Sequence, residues 1–477
     1  MNKTLKVFTK NFSYTVFANL LSTLISSILV FIIPRYISTS SYGYWQLYNF
    51  YVTYISYLSL GLTDGVYLRY GGYEYSKLNY STLSTQHIVL IVFNFLCDLT
   101  ICFTYFHFLN DINKGIVVIL VCVCGLIIVP RSLFVFVLQA TNRIKEYSII
   151  LMIEKAVYFV AVISCIVLHQ QNFILLISTD IIGKIVSAIY GLYVCKEITL
   201  SRPTFSRNVV KEIKTNIAVG SKLLFASLAS MLIIGIVRMG IEQKWSIETF
   251  GKVSLTLSVS NMLLVFINSV GTVLFPMLRR TAEENLPKIY SLLRTVLMVP
   301  LFLLLVGYYP VKVILSVWLP QYADSLTYMA LLFPMCIFEC KMAMLINTYL
   351  KSMRKEKWLL IVNLITVGLS VISTILTVYI LHNLTLAIVS IVLLLAIRCV
   401  IAESLLAKEL KVSVSKDIIA EIILTVVFMM ASWCIGGVIS VMIYLIAYVF
   451  YLFIKRKDIV AAVKTIKPLL KKSESQN

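Results

Sequence analysis

A chain of 477 residues that is 60% hydrophobic and only 13% charged, with a mean hydropathy of +0.91, holds more apolar surface than a water-soluble fold can hide. These figures exclude a soluble enzyme or nucleic-acid-binding domain and describe an all-α polytopic membrane protein. The net charge of +20 would suggest nucleic acid in a soluble protein, but its placement reports topology instead, and no nucleic-acid partner is expected.

Basic residues crowd the start (Lys3, Lys6, Lys10), every second loop, and the tail from Lys455 to Lys472. The intervening loops around His169–Asn172, His382–Leu384 and Gly436–Gly437 carry no Lys or Arg. This positive-inside asymmetry predicts an even number of spans and two cytoplasmic termini. Attraction to anionic membrane lipid is its second consequence.

Apolar runs long enough to cross roughly 30 Å of hydrocarbon as helices follow one another along the chain. The first six are expected near residues 12–33, 43–63, 87–109, 115–138, 148–168 and 173–194. The first is too long for a signal-peptide core and lacks a small-residue cleavage site, so it is expected to remain. A basic connector separates this lobe, residues 1–195, from a second at 216–408; Arg202-Pro203 marks the break, within 196–215. Six more spans are expected near 217–240, 251–275, 293–317, 324–348, 358–381 and 385–407. A last pair within 417–455, near 418–435 and 438–454, precedes a basic cytoplasmic tail, 456–477. About fourteen helices result, as two pseudo-symmetric six-helix lobes plus a C-terminal pair.

The segment from Pro34 to Gly72 says most about function. Pro34 is expected to end one helix, Ser38–Ser41 to form a corner, and a second helix to run from about Tyr42 until Gly61 and Gly65 loosen it. Gln46, Asn49, Thr53 and Ser56 recur at three- and four-residue steps and form an uncharged stripe, with Tyr57 towards the same side. A similar stripe, Ser254, Ser258, Asn261 and Asn268, lies on the eighth span, and Thr15, Asn19, Ser22 and Ser26 line the first. Asn216, Ser227, Ser230 and Arg238 line the seventh. Internal matches support a repeat: Gly43, Gly61 and Arg69 meet Gly251, Gly271 and Arg279, and the run from Leu138 to Lys145 meets that from Leu350 to Lys357. Parallel repeats with an even number of spans would be related by an axis along the membrane normal. The four stripes at corresponding places would then wall a polar cavity; taken singly, each could equally be small-residue helix packing.

No catalytic residue set, phosphate-binding glycine loop or metal-ligand cluster is visible, so no cofactor is expected. The ten cysteines are scattered inside apolar runs and read as small hydrophobes. Ionisable residues at membrane depth are sharper clues, because each must be paired or hydrated. Arg131, Lys155, Arg238, Lys341 and Arg398 could hold a diphosphate, which a guanidinium fork suits. Asp98, Glu154 and Glu339 could exchange protons, and Asp180 with Lys184 has the spacing of a pair within one helix. Structural pairing is the competing reading for the whole set.

Together, Pro34-Arg35-Tyr36, Tyr42-Gly43-Tyr44-Trp45, Leu60-Gly61-Leu62, Leu68-Arg69-Tyr70, Val273-Leu274-Phe275-Pro276 and the basic segment Lys351–Lys357 carry a family likeness. The chain resembles the polysaccharide-specific branch of the multidrug/oligosaccharidyl-lipid/polysaccharide (MOP) exporters, in particular Wzx-type O-antigen flippases. The resemblance implies a V-shaped pair of lobes that moves polyprenyl-diphosphate-linked oligosaccharide, of O antigen or capsule, from the cytoplasmic to the periplasmic leaflet without being an enzyme. It implies a lipid-linked oligosaccharide as ligand, with a polysaccharide polymerase and a chain-length regulator as candidate partners. In related lipid II flippases the final helix pair forms a groove for the lipid tail. A drug or metabolite exporter of the same superfamily is the alternative, followed by a membrane polymerase. The striped faces depart from the cationic cavity of relatives, since Arg238 is their one charge.

Overall fold

The structure, a computed structural model, describes residues 3–108, 111–279 and 283–474, with side chains left aside at 3–13, 15–16, 108, 263–277, 279, 283 and 465–474. Helices account for the regular structure of the described residues: in hydrocarbon a helix satisfies its own backbone groups where an open strand edge could not. In order these are α1 Lys3–Tyr36, α2 Thr39–Ile55, α3 Leu62–Tyr70, α4 Tyr80–Phe108, α5 Ile112–Ala140, α6 Ile144–Val167, α7 Phe173–Val194 and the short α8 Lys196–Thr199. There follow α9 Arg207–Lys244, α10 Ile247–Arg279, α11 Leu286–Leu304, α12 Tyr308–Trp318 and the short α13 Ala323–Leu326 and α14 Met329–Leu332. The chain finishes with α15 Met335–Cys340, α16 Asn347–Ser352, α17 Glu356–Thr374, α18 Leu384–Leu410, α19 Ser415–Met430 and α20 Gly437–Glu474.

The expected spans fall mainly on helix, although that at 43–63 is broken at Leu60–Gly61 and that at 324–348 by turns at 327–328 and 333–334. Twelve helical stretches among the described residues are by themselves long and apolar enough to cross a membrane, and α2 and α10 carry the other two expected spans. Pro34 does not end the first helix, which continues to Tyr36. Pro130 and Pro300 likewise lie inside helices, because ending a helix in hydrocarbon would release more backbone groups than a proline does.

The chain divides into two compact units, one of residues 1–228 with 247–251 and the other of 229–246 with 252–477. The division falls inside α9, so the connector at 196–215 belongs wholly to the first unit.

In the first unit α5 is the central helix, packed by α2, α3, α4 and α7, while α6 packs on α1 and α7. The end of the Pro34–Gly72 segment crosses α9 at backbone contact. Gly61, in the left-handed region at φ +82°, lies so close to α9 that a Cβ there would be 2.5 Å from the Ser221 nitrogen. A methyl on Gly220 would strike the Gly61 carbonyl, and one on Gly65 the Asn216 carbonyl. Beside this crossing Asn216 is fully buried; it accepts from Arg69 Nη1 at 2.5 Å and donates to Gln86 Oε1 at 3.0 Å.

In the second unit α18 packs on α15 and α17, and α20 packs on α11 and α19. The final pair is fastened by hydroxyls: Tyr444 donates to the Phe302 carbonyl at 2.6 Å and Tyr448 to the Val299 carbonyl at 2.9 Å. Both acceptors flank Pro300, where proline interrupts the hydrogen-bond ladder of α11.

The aligned runs after α5 and α16 fold into the same turn. Asn142 and Arg354 are left-handed, at φ 60° and 55°. Arg143 N donates to Leu138 O at 2.8 Å and Lys355 N to Leu350 O at 2.7 Å; the inner bonds are Asn142 N to Gln139 O and Arg354 N to Lys351 O. These are the two bonds of a Schellman helix ending, made twice by chain segments with little residue identity. His169 and His382, at φ 52° and 48°, end α6 and the helix following α17 in a second matched pair.

Gly220→Ala is expected to lower stability by about 1–3 kcal/mol through overpacking at the crossing. Gly368→Ala, where nothing lies within 4 Å, should leave it unchanged or slightly raised. Thermal unfolding of the two purified variants in detergent compares them.

Candidate functional site

The stripe on α2 begins at a capped end: the Ser38 hydroxyl accepts from Ser41 N at 3.1 Å. Gln46, 5% exposed, donates to Tyr42 Oη at 2.6 Å. Asn49 Nδ2 donates to the Trp45 carbonyl, Thr53 Oγ1 to the Asn49 carbonyl and Ser56 Oγ to the Thr53 carbonyl, at 2.9, 2.9 and 2.8 Å. Exposure rises along the stripe, from buried Gln46 through half-buried Asn49 to exposed Thr53 and Ser56, with Tyr57 half-buried in the following turn. Back-bonding of this kind satisfies a polar side chain when nothing else is near and leaves its lone pairs for a ligand hydroxyl.

Asn19 on α1 is exposed, as is Asn261 on α10. Ser254 is buried and accepts from Arg238 Nη2 at 2.9 Å, and Ser258 donates to the Ser254 carbonyl at 2.9 Å. The side chain of Asn268 lies outside the described residues.

The deep charges of the first unit form two neighbouring groups. Arg131 Nη1 donates to Glu154 Oε2 at 2.5 Å and also bonds the Ser187 hydroxyl. Lys155 stands 3.6 Å from the other oxygen of Glu154 and keeps 28% of its side chain exposed. Lys184 and Asp180 pair as their spacing predicts, with Tyr48 Oη donating to Asp180 Oδ2 at 2.8 Å and the lysine over the Tyr48 ring. Asp98 differs: it accepts from Asn94 Nδ2 at 2.7 Å, and no ion pair to it is found among the described residues.

In the second unit Arg398 Nη1 reaches Glu339 at 3.2 Å, while its Nε and Nη2 donate to Asn363 and Ser230 at 2.9 and 2.8 Å. Lys341 is 3% exposed and lies between Glu403 and Glu421. Both carboxylates also hold Arg294, with Nε 2.8 Å from Glu403 and Nη1 2.9 Å from Glu421. Asp417 joins at 3.0 Å from Arg294 and 2.5 Å from Lys455, and Tyr290 Oη donates to Glu403 at 2.8 Å. Of the five diphosphate candidates, Arg131, Lys155, Lys341 and Arg398 are thus paired with carboxylates in the protein, Lys155 through its longer contact at 3.6 Å with 28% of its side chain still exposed, and Arg238, half-buried, donates to Ser254.

The network around Glu403 escaped the sequence reading because Arg294, Glu403, Asp417 and Glu421 sit within about a turn of the expected span ends, where charges usually reach water. The i, i+4 spacing of Asp417 and Glu421, which puts two carboxylates on one face of α19, was the available signal. The described residues hold no group of three His, Cys, Asp or Glu side chains arranged for a metal. All ten cysteines are free; at Cys195, just beyond α7, burial pushes the thiol up to about 12 and keeps it protonated.

The family model described as polysaccharide biosynthesis protein matches residues 8–282. The chain belongs to that family. A search of curated proteins finds no match. Among solved structures, the lipid II flippase MurJ in an inward closed conformation is similar at TM-score 0.61 and 11% identity, over 94% of this chain and 100% of that one. An inward-facing multidrug resistance MATE family transporter of the MOP superfamily is similar at TM-score 0.55 and 12% identity, over 81% of this chain and 99% of that one. This polysaccharide biosynthesis protein therefore has the MOP transporter fold, as a multi-pass membrane protein.

Breaking the charge network around Glu403 should destabilise it strongly. Glu403→Gln leaves Arg294 and Lys341 short of one buried counter-charge, and about 3–5 kcal/mol of stability is expected to be lost. Immunoblotting of membranes should show depleted protein, whereas Lys155→Gln, at a partly exposed side chain, should accumulate normally.

Proposed function

We propose that this protein is a flippase that carries polyprenyl-diphosphate-linked oligosaccharide repeat units, of O antigen or capsule, from the cytoplasmic to the periplasmic leaflet by alternating access. The observation that carries the reading is membership of a polysaccharide biosynthesis family by a chain with a transporter fold. Polymerising a surface glycan outside the cell from units built inside requires a step that moves a hydrophilic sugar across hydrocarbon. The likeness to a lipid II flippase covers 94% of this chain and fits a substrate with a long lipid tail. The exporter alternative has only the MATE likeness behind it, and at 12% identity that is a likeness of fold.

In this reading the neutral stripe residues Gln46, Asn49, Thr53 and Ser56, with Tyr57, Asn19, Ser254, Ser258, Asn261 and Asn268, serve sugar hydroxyls. Such groups exchange hydrogen bonds with a passing glycan without holding it as tightly as a charge would. Lys155 and Arg238 are the cations best placed to take a diphosphate, because their side chains are partly exposed. Asp98 is the carboxylate best suited to proton exchange, since neither Glu154 nor Glu339 can be protonated without breaking an ion pair. With no phosphate-binding glycine loop in the sequence, the driving force is an ion gradient, the membrane potential or removal of product. A polymerase and a chain-length regulator would act on the delivered unit, and both termini of the flippase would be cytoplasmic.

Cells lacking the protein are expected to accumulate short lipid-linked oligosaccharide on the cytoplasmic leaflet and to lose polymerised surface glycan. Leaflet-specific labelling of the glycan decides this: unpolymerised units on the periplasmic leaflet would show that translocation proceeds without the protein. Asp98→Asn should remove the dependence of transport on external pH while leaving abundance near normal. Complementation of surface glycan at two pH values measures it, and a retained dependence places coupling elsewhere.

A further inference from the structure

At the end of the second unit where α11 and α19 begin, a cavity of about 950 Å³ opens beside residues 455–462 of α20. Four cations line it, Lys288, Arg294, Lys416 and Lys455, against two carboxylates, Asp417 and Asp458. Those carboxylates already have partners: Asp417 is held by Arg294 and Lys455, and Asp458 by Lys455 at 2.9 Å. Lys288 and Lys416 are exposed.

Arg294 is the decisive residue. It is 2% exposed, its Nε and Nη1 are used by Glu403, Asp417 and Glu421, and its Nη2 has no hydrogen-bond partner. A buried charged donor without an acceptor is costly, so an anion reaching it would be favoured. One helix N-terminus faces the same space uncapped: Val414, which precedes α19, has no side-chain group to make a capping bond. The N–H groups and dipole of α19 add to the pull on an anion.

We propose that this cavity binds a phosphate group, Arg294 Nη2 and the N-terminus of α19 meeting its oxygens while Lys288 and Lys416 close over it. The setting favours an anionic phospholipid headgroup as the source. Phe450, Phe453 and Ile454, a short way back along α20, are exposed at 66%, 62% and 50% and offer an apolar flank for acyl chains. The site would tie the position of the final helix pair to the lipid composition of the membrane, and it does not depend on the transport reading.

The test uses the purified full-length protein in nanodiscs of phosphatidylcholine, with phosphatidylglycerol or with inorganic phosphate as the added probe. Phosphatidylglycerol should raise the unfolding temperature, and Lys288→Gln/Lys416→Gln should weaken its binding by roughly thirtyfold. The double variant should unfold like the wild type in phosphatidylcholine alone, because both lysines are exposed. Lys351→Gln/Lys357→Gln, which removes two exposed cations elsewhere, should respond like the wild type and so separates a built site from general surface attraction. A shift with inorganic phosphate that the Lys288/Lys416 variant loses would support the site and assign it to soluble phosphate. No shift with either probe, or an equal shift in all three proteins, overturns the proposal.

Discussion

Hydrocarbon offers no partner to a polar group, and that constraint orders this molecule more than any single contact does. The backbone meets it by staying helical, even through Pro34, Pro130 and Pro300. Side chains meet it in two ways. Hydroxyls and amides on α2 bond back to their own helix, whereas Arg131, Lys184, Arg294, Lys341 and Arg398 each find a carboxylate on their own or another helix.

The difference between these solutions bears on how such a protein could move a sugar. A hydroxyl bonded to its own backbone is satisfied locally and can exchange partners at little cost. A buried ion pair is bound to its place, because separating it leaves two unsolvated charges. Strong charge pairing thus holds helices together, while weaker, adaptable groups line the stripe. Arg294 combines both behaviours, with two arms of its guanidinium fixed in the network and the third left without an acceptor.

Much of this order is visible in the primary structure. About fourteen spans are expected from apolar run length, twelve helical stretches among the described residues are by themselves long and apolar enough to cross a membrane, and the Asp180–Lys184 pair follows from a four-residue spacing. The repeat was visible too, and the matched Schellman endings after α5 and α16 give it a physical basis. What was kept is a backbone turn, which Asn142 and Arg354 can both adopt, so the residues themselves were free to change. The stripe was legible because periodicity on a helix survives in one dimension. The partners of its residues were not, since bonding to a residue's own helix or to another chain segment leaves the same pattern.

By itself, then, the sequence determined the membrane class, the order of the apolar segments and which faces are polar, since all of these depend on neighbours within a few residues. Only the tertiary structure decided which carboxylate each deep cation meets. Glu403 meets Arg294, 109 positions away, and Lys341, 62 positions away. It also decided that Gly61, Gly65 and Gly220 form one backbone crossing, where their shared lack of a side chain acquires its meaning. Pairing of charges and contact of backbones are properties of distance in space, and helices of similar composition can be brought together in many ways until packing selects one.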